Sequence, residues 1–209
     1  TSGHFLKSQG AGSQPVFAAA GGAWEYIARQ TLGSDAADIQ FKDGTAATDG
    51  TPDFGSDYAA IMFHFEHFTP ATDNVVAKMI LSTDTGSSYP TGNYLAGGTY
   101  KQFYSGSSSD NLFEETDFFN LSGGPDGLDN SLSSGLNGYL WIHNTSDSSH
   151  FPHAHWHLVA TQYTGSRAYE LIGGGFKTTN QNTDAVQFIF ASGNVLSGST
   201  IRMYGLKAS

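Results

Sequence analysis

Residues 149–160 read SHFPHAHWHLVA, and from His153 onward polar and apolar side chains alternate. His153, His155 and His157 fall on one side, and Ala154, Trp156 and Leu158 fall on the other. A strand with one buried face requires this period of two, because successive Cβ atoms point to opposite faces of a sheet. The same period runs through AVQFIFA at 185–191 and TIRMYGL at 200–206. In YAAIMFHFEHF at 58–68, Ile61, Phe63, Phe65 and His67 share one side, and Met62, His64, Glu66 and Phe68 share the other. Large side chains on both sides predict a central strand there. No segment carries the helical period.

Further β-rich runs lie near 24–30, 38–42, 75–83, 98–104, 112–121, 139–143 and 168–172, separated by Gly-, Asp- and Ser-rich turns. About ten short strands with turns of several residues predict an all-β fold, an antiparallel, jelly-roll-like β-sandwich over residues 21–209. Residues 1–20 are dominated by Gly, Ser and Gln around Pro15 and predict a short extended connector. Its large apolar residues, Phe5, Leu6, Val16 and Phe17, are expected to pin it onto a neighbouring subunit. The run 185–191 and the run 200–206, joined through Ser192-Gly193-Asn194 and Ser197-Gly198, predict a C-terminal hairpin.

Composition narrows the function. Cysteine is absent, which excludes disulfides, thiolate metal sites and a cysteine nucleophile. The formal net charge is −10 with only 9 Lys and Arg and no basic cluster, so no nucleic-acid partner is expected. No apolar run approaches the roughly 20 residues of a spanning helix, and no signal-peptide pattern opens the sequence, so membrane insertion is not expected. Aromatics make up 13% of the chain, too many for a disordered segment.

Three blocks resemble bacteriophage tail-fibre and head-fibre proteins. GHFLKSQGAGSQPVF (3–17) is similar to a linker of that family, TPATDNVVAKMILSTDTGSSY (69–89) to a central region, and TDAVQFIFASGNVLSGSTIRMYGLK (183–207) to a closing hairpin. They occur in the family's order and cover both ends and the middle of the chain. The density of histidines in SHFPHAHWH departs from the family pattern. The resemblance implies a virion structural protein, at the surface of the phage particle, that attaches to the host cell surface. It also implies a homo-oligomer, expected as a trimer, joined to other virion proteins through the connector and with a host surface glycan as a possible receptor. A capsid-decorating or head-fibre protein that stabilises the shell is the alternative. A glycan-cleaving depolymerase is the other.

Several residues have the types and spacings of a chemical site. Two histidines at i and i+2 on a strand can share a metal. The third member of a straight i, i+2, i+4 set is too far from the first, so His153, His155 and His157 cannot all hold one ion within a subunit without a bulge. They are therefore expected to face outward or toward a neighbouring subunit, as subunit contacts or a pH-sensitive surface, with no metal or other cofactor. His64, His67 and His143 could supply further ligands. Glu115 and Asp117, beside Glu114, have the spacing of a glycosidase pair, as many surface pairs do. The loop acids Asp43, Asp49, Asp53 and Asp57, and Asp126 with Asp129, lack the ordered calcium-loop spacing and read as turn chemistry. No G-x-S-x-G elbow or phosphate loop is present, and an enzyme is not expected. Tyr89, Tyr94, Tyr100 and Tyr104, in or near loops, are the expected receptor-binding contacts. Trp141 and Trp156, inside strands, are expected in the core.

Overall fold

A computed structural model describes residues 4–7, 12, 14, 16–19, 23–105, 107–123, 127–131, 133–163 and 167–208. These residues form fifteen strands and no helix. In chain order they are β1 (His4–Lys7), β2 (Val16–Ala19), β3 (Trp24–Thr31), β4 (Asp38–Lys42), β5 (Asp49–Gly50), β6 (Tyr58–Phe68), β7 (Ala77–Ser82) and β8 (Tyr94–Tyr104). The remainder are β9 (Ser107–Glu115), β10 (Phe119–Asn120), β11 (Leu136–His143), β12 (His153–Thr161), β13 (Ala168–Lys177), β14 (Ala185–Phe190) and β15 (Thr200–Lys207).

Two antiparallel sheets face one another. The larger has the order β5-β3-β15-β6-β11-β12-β13-β8-β9, and the smaller β10-β7-β14-β4. The chain visits the small sheet one strand at a time, leaving the large sheet after β3, β6, β9 and β13 and returning each time. The β-sandwich is therefore unequal, nine strands against four. β1 and β2 pair with each other in a separate two-stranded ladder, so the connector is a paired hairpin and not a simple extended strand. The anchoring expected of Phe5, Leu6, Val16 and Phe17 concerns side chains outside those described.

One continuous core lies between the layers. Phe188 of the small sheet packs against Phe63 and Phe65 of β6, with ring centroids 5.0 and 5.1 Å apart. Phe119 reaches Trp156 at 6.2 Å, and Phe68 stacks on Phe190 at 4.5 Å. Beyond the four-stranded layer, loop residues Leu121 and Leu128 continue the buried cluster. Burying each large apolar side chain contributes about 1.5–3 kcal/mol.

β4 and β6 have the expected bounds, and β6 is central, between β15 and β11. Its alternation breaks at the end: Phe68 is buried and His67 is exposed. His67 has φ 53°, and this left-handed residue turns Phe68 into the core. Expected run 112–121 divides instead into β9 and β10, which belong to different sheets. β13 runs on through Gly173-Gly174-Gly175 to Lys177, past the end predicted at 172. A glycine run reads as a strand breaker from sequence, yet here it is held between β12 and β8 by ladders on both sides. The predicted C-terminal hairpin does not form. β14 pairs with β4 and β7, whereas β15 pairs with β3 and β6. The apolar faces of these two strands oppose each other across the core instead of lying side by side.

Candidate functional site

The alternation in β12 has the predicted sense. Ala154, Trp156 and Leu158 are in the core, and His153, His155 and His157 are exposed on the outer face of the large sheet. Register determines what surrounds them. On β11, His143 is opposite His153, Trp141 opposite His155, and Tyr139 opposite His157. On β13, Phe176 is opposite His153, Gly174 opposite His155, and Ile172 opposite His157. The outer face thus carries rows of aromatic, imidazole and aliphatic side chains where an exposed sheet face is ordinarily polar.

These side chains are mutually packed. The rings of Trp141 and His155 are parallel within 3° at 5.8 Å, and His143 stacks on His155 at 5.4 Å. Trp24 meets Trp141 edge-on at 4.7 Å. His64 of β6 stacks on Tyr139 at 4.8 Å. Phe176 stacks on Phe151 at 5.5 Å and contacts His153 at 5.3 Å, and His153 is further fixed through Nδ1, 2.8 Å from the Phe151 carbonyl. Two polar pairs lie within the face: His157 Nε2 is 3.0 Å from Glu170 Oε1, and Arg202 contacts Glu66.

Trp141 corrects the expectation that it is a core residue. It stands half-buried on the outer face, while its neighbours Leu140 and Ile142 point inward. The pattern YLWIH contained this signal: the aliphatics occupy one phase, and Tyr139, Trp141 and His143 the other. Choosing the inner phase for the tryptophan would have turned two aliphatics outward.

The expected tyrosine contacts divide. Tyr104 is exposed and receives the guanidinium of Arg167 over its ring at 4.8 Å. Tyr94 and Tyr100 are buried, which corrects their expected exposure. They belong to the inward phase of a strand that begins at residue 94, earlier than its pattern indicated. The Tyr94 hydroxyl accepts a hydrogen bond from the Leu81 amide at 3.1 Å, and burial pushes its pKa up to about 12. Tyr89 is half-buried, its hydroxyl raised by burial and by the nearby carboxylates of Asp38, Asp184 and Asp84.

Several of the candidate catalytic and calcium-binding acids accept hydrogen bonds from the protein. One Glu115 oxygen accepts from the backbone amides of Thr116 and Asp117 at 3.0 and 3.1 Å. Asp53 accepts from the Gly55 amide, Asp43 from the Phe54 amide, and Asp49 from the Tyr26 hydroxyl. Asp129 accepts from Ser131 and Ser134, while Asp126 lies outside the described residues. Among the described residues no group of three or more His, Asp or Glu is placed to hold a metal ion. His143 and His155 meet ring face to ring face, so their in-plane lone pairs do not converge on one point. Burial lowers the pKa of His143, helped by the neighbouring His155 and His153, and burial with Arg202 lowers that of His64.

No protein-family model, curated protein or solved structure matches the chain.

Proposed function

We propose that this chain is a structural and adhesive module of a bacteriophage particle, a fibre module that carries host-surface contacts and assembles as a homo-oligomer, expected to be a trimer. The observation that carries the assembly part is the outer face of the large sheet, a broad surface of packed Trp, Tyr, Phe and His side chains. A broad aromatic surface suits contact with another copy, because planar side chains bring large area at little entropic cost. The phage part and the host-surface contact are supported by the three resembling sequence blocks. Two of them supply β7, β14 and β15, so they build strands of both layers and the turn between them.

The test is antibody labelling of intact particles that encode the chain, viewed by electron microscopy. Label at the tips or shafts of fibres is expected. Label over the shell would move the protein to capsid decoration, and particles without label would end the virion reading.

A further inference from the structure

We propose that the outer face of the large sheet is the surface through which copies of this chain associate. This goes beyond a place in a virion and rests on the fold alone, so it stands or falls whether or not the chain belongs to a phage.

The exposed large apolar residues are concentrated on this face. Trp24, Tyr26, Leu95, Leu112, Tyr139, Val159 and Ile172 are all exposed, with Leu112 reaching 82%. The register of the ladders puts them in outward phase with His155 across adjacent strands. A depression of about 580 Å³ over β8 and β9, lined by Leu95, Gly97, Thr99 and Leu112 among others, lies beside the most protruding of them. The same face therefore offers both a projecting side chain and a recess, so that different parts of the face on successive copies can fit together around a three-fold axis, as a trimer needs.

Its extent is sufficient. Strands lie ~4.8 Å apart and rise ~3.3 Å per residue, so seven strands from β3 to β8, about eight residues long, cover on the order of 800 Å². That is close to the roughly 800 Å² per partner of a stable protein interface. That area is the whole face, polar positions such as Arg29, Thr99 and Glu170 included, and the exposed Trp, Tyr, Leu, Val and Ile side chains are spread through it.

Charge favours a second copy as the occupant. The chain carries −10 overall, so two copies repel unless they meet where acid is neutralised. On the central strands β6, β11, β12 and β13, the outward carboxylates are Glu66 and Glu170, paired with Arg202 and His157. Aromatic residues, Met62 and Arg202 occupy the middle, and further charge lies at Arg29 on β3 and at Lys101, Asp110 and Glu114 on β8 and β9. This is the composition of an interface core with a polar rim. A strongly charged partner would find no complementary field here.

The experiment is light scattering on the purified chain at micromolar concentration, with two variants. Val159→Lys/Ile172→Lys adds two charges at the centre of the face, at positions half-exposed and so tolerant of the change. Lys78→Glu, on the outer face of the small sheet, makes a change of equal size elsewhere. The wild type and Lys78→Glu are expected at a whole multiple of 22.2 kDa above one. The double variant is expected near 22.2 kDa with an unchanged β-type circular-dichroism spectrum, its dissociation constant raised at least about a hundredfold by juxtaposed like charges. A wild-type monomer, or a double variant as associated as the wild type, would overturn the proposal, as would dissociation of Lys78→Glu. Should the double variant fail to fold, modification of wild-type His155 by diethyl pyrocarbonate decides. Slow modification when associated and fast modification on dilution are expected, and equal rates would overturn the proposal.

Discussion

Trp141 and His155, directly opposite each other on adjacent strands, hold their rings parallel within 3° on the outer face, and His143 stacks on the same imidazole. The packing keeps His143 partly out of water, and a second imidazolium beside it would face like charge.

This arrangement makes stability pH-dependent. His143 is lowered first by burial and then by His155 and His153, and His64 is lowered first by burial and then by Arg202. Both folded-state values lie below the ordinary value near 6.5, so between the two the unfolded chain binds more protons. The contribution is fully present above pH ~6.5 and is lost as the pH falls through the folded values. Urea midpoints measured from pH 8 to 5 should fall on the acid side, and His143→Gln should reduce the slope. An unchanged slope in the variant would remove His143 as a source.

Trp156 should be the costliest single truncation in β12. Its side chain is 1% exposed and lies against Phe119, so Trp156→Ala should cost about 3–5 kcal/mol in denaturant unfolding. Gly173 is tied to it, because a Cβ at 173 would overlap the indole ring. Gly173→Ala should therefore cost about 1–3 kcal/mol in the wild type and much less beside Trp156→Ala. Additive costs in the double-mutant cycle would show that the contact is not what requires glycine.

His67 offers a backbone test. With φ 53°, it is a non-glycine residue in the left-handed region. A β-branched residue suits this region poorly, so His67→Val should lower stability by about 1–2 kcal/mol. His67→Gly should be neutral or stabilising, because relief of strain offsets the greater freedom of glycine when unfolded. Equal losses in the two variants would point to the imidazole and away from the backbone.

Lys177 is 3% exposed, with its amine 4.9 Å from the centroid of the Tyr94 ring, and burial lowers its pKa. Between the lowered value and 10.5 the unfolded chain holds the proton more tightly, so stability due to this group rises with pH. Lys177→Met keeps an unbranched side chain against the ring without a charge to desolvate. Its melting temperature at pH 7 should equal or exceed that of the wild type. A clear fall would show that the ammonium–ring contact outweighs its desolvation.

Much of the fold was legible in the sequence because strand periodicity is a local property. The alternation of His153 to Leu158 was enough to place Trp156 inward and the histidines outward, and the double-sided apolar pattern of 58–68 was enough to make β6 central. What the alternation could not supply is pairing between distant segments. AVQFIF and TIRMYGL each read as strands, but their placement in opposite layers depends on β4, β7, β3 and β6. Gly173-Gly174-Gly175 carries no strand signal of its own, and Tyr94 and Tyr100 read as exposed positions in or near loops until ladders on both sides of β8 fix their inward phase. The candidate surface has the same origin. Trp24, Trp141 and His155 come from three separate stretches of sequence and meet because inter-strand hydrogen bonding sets the register of one sheet, and register over such distances is decided only when the whole core closes.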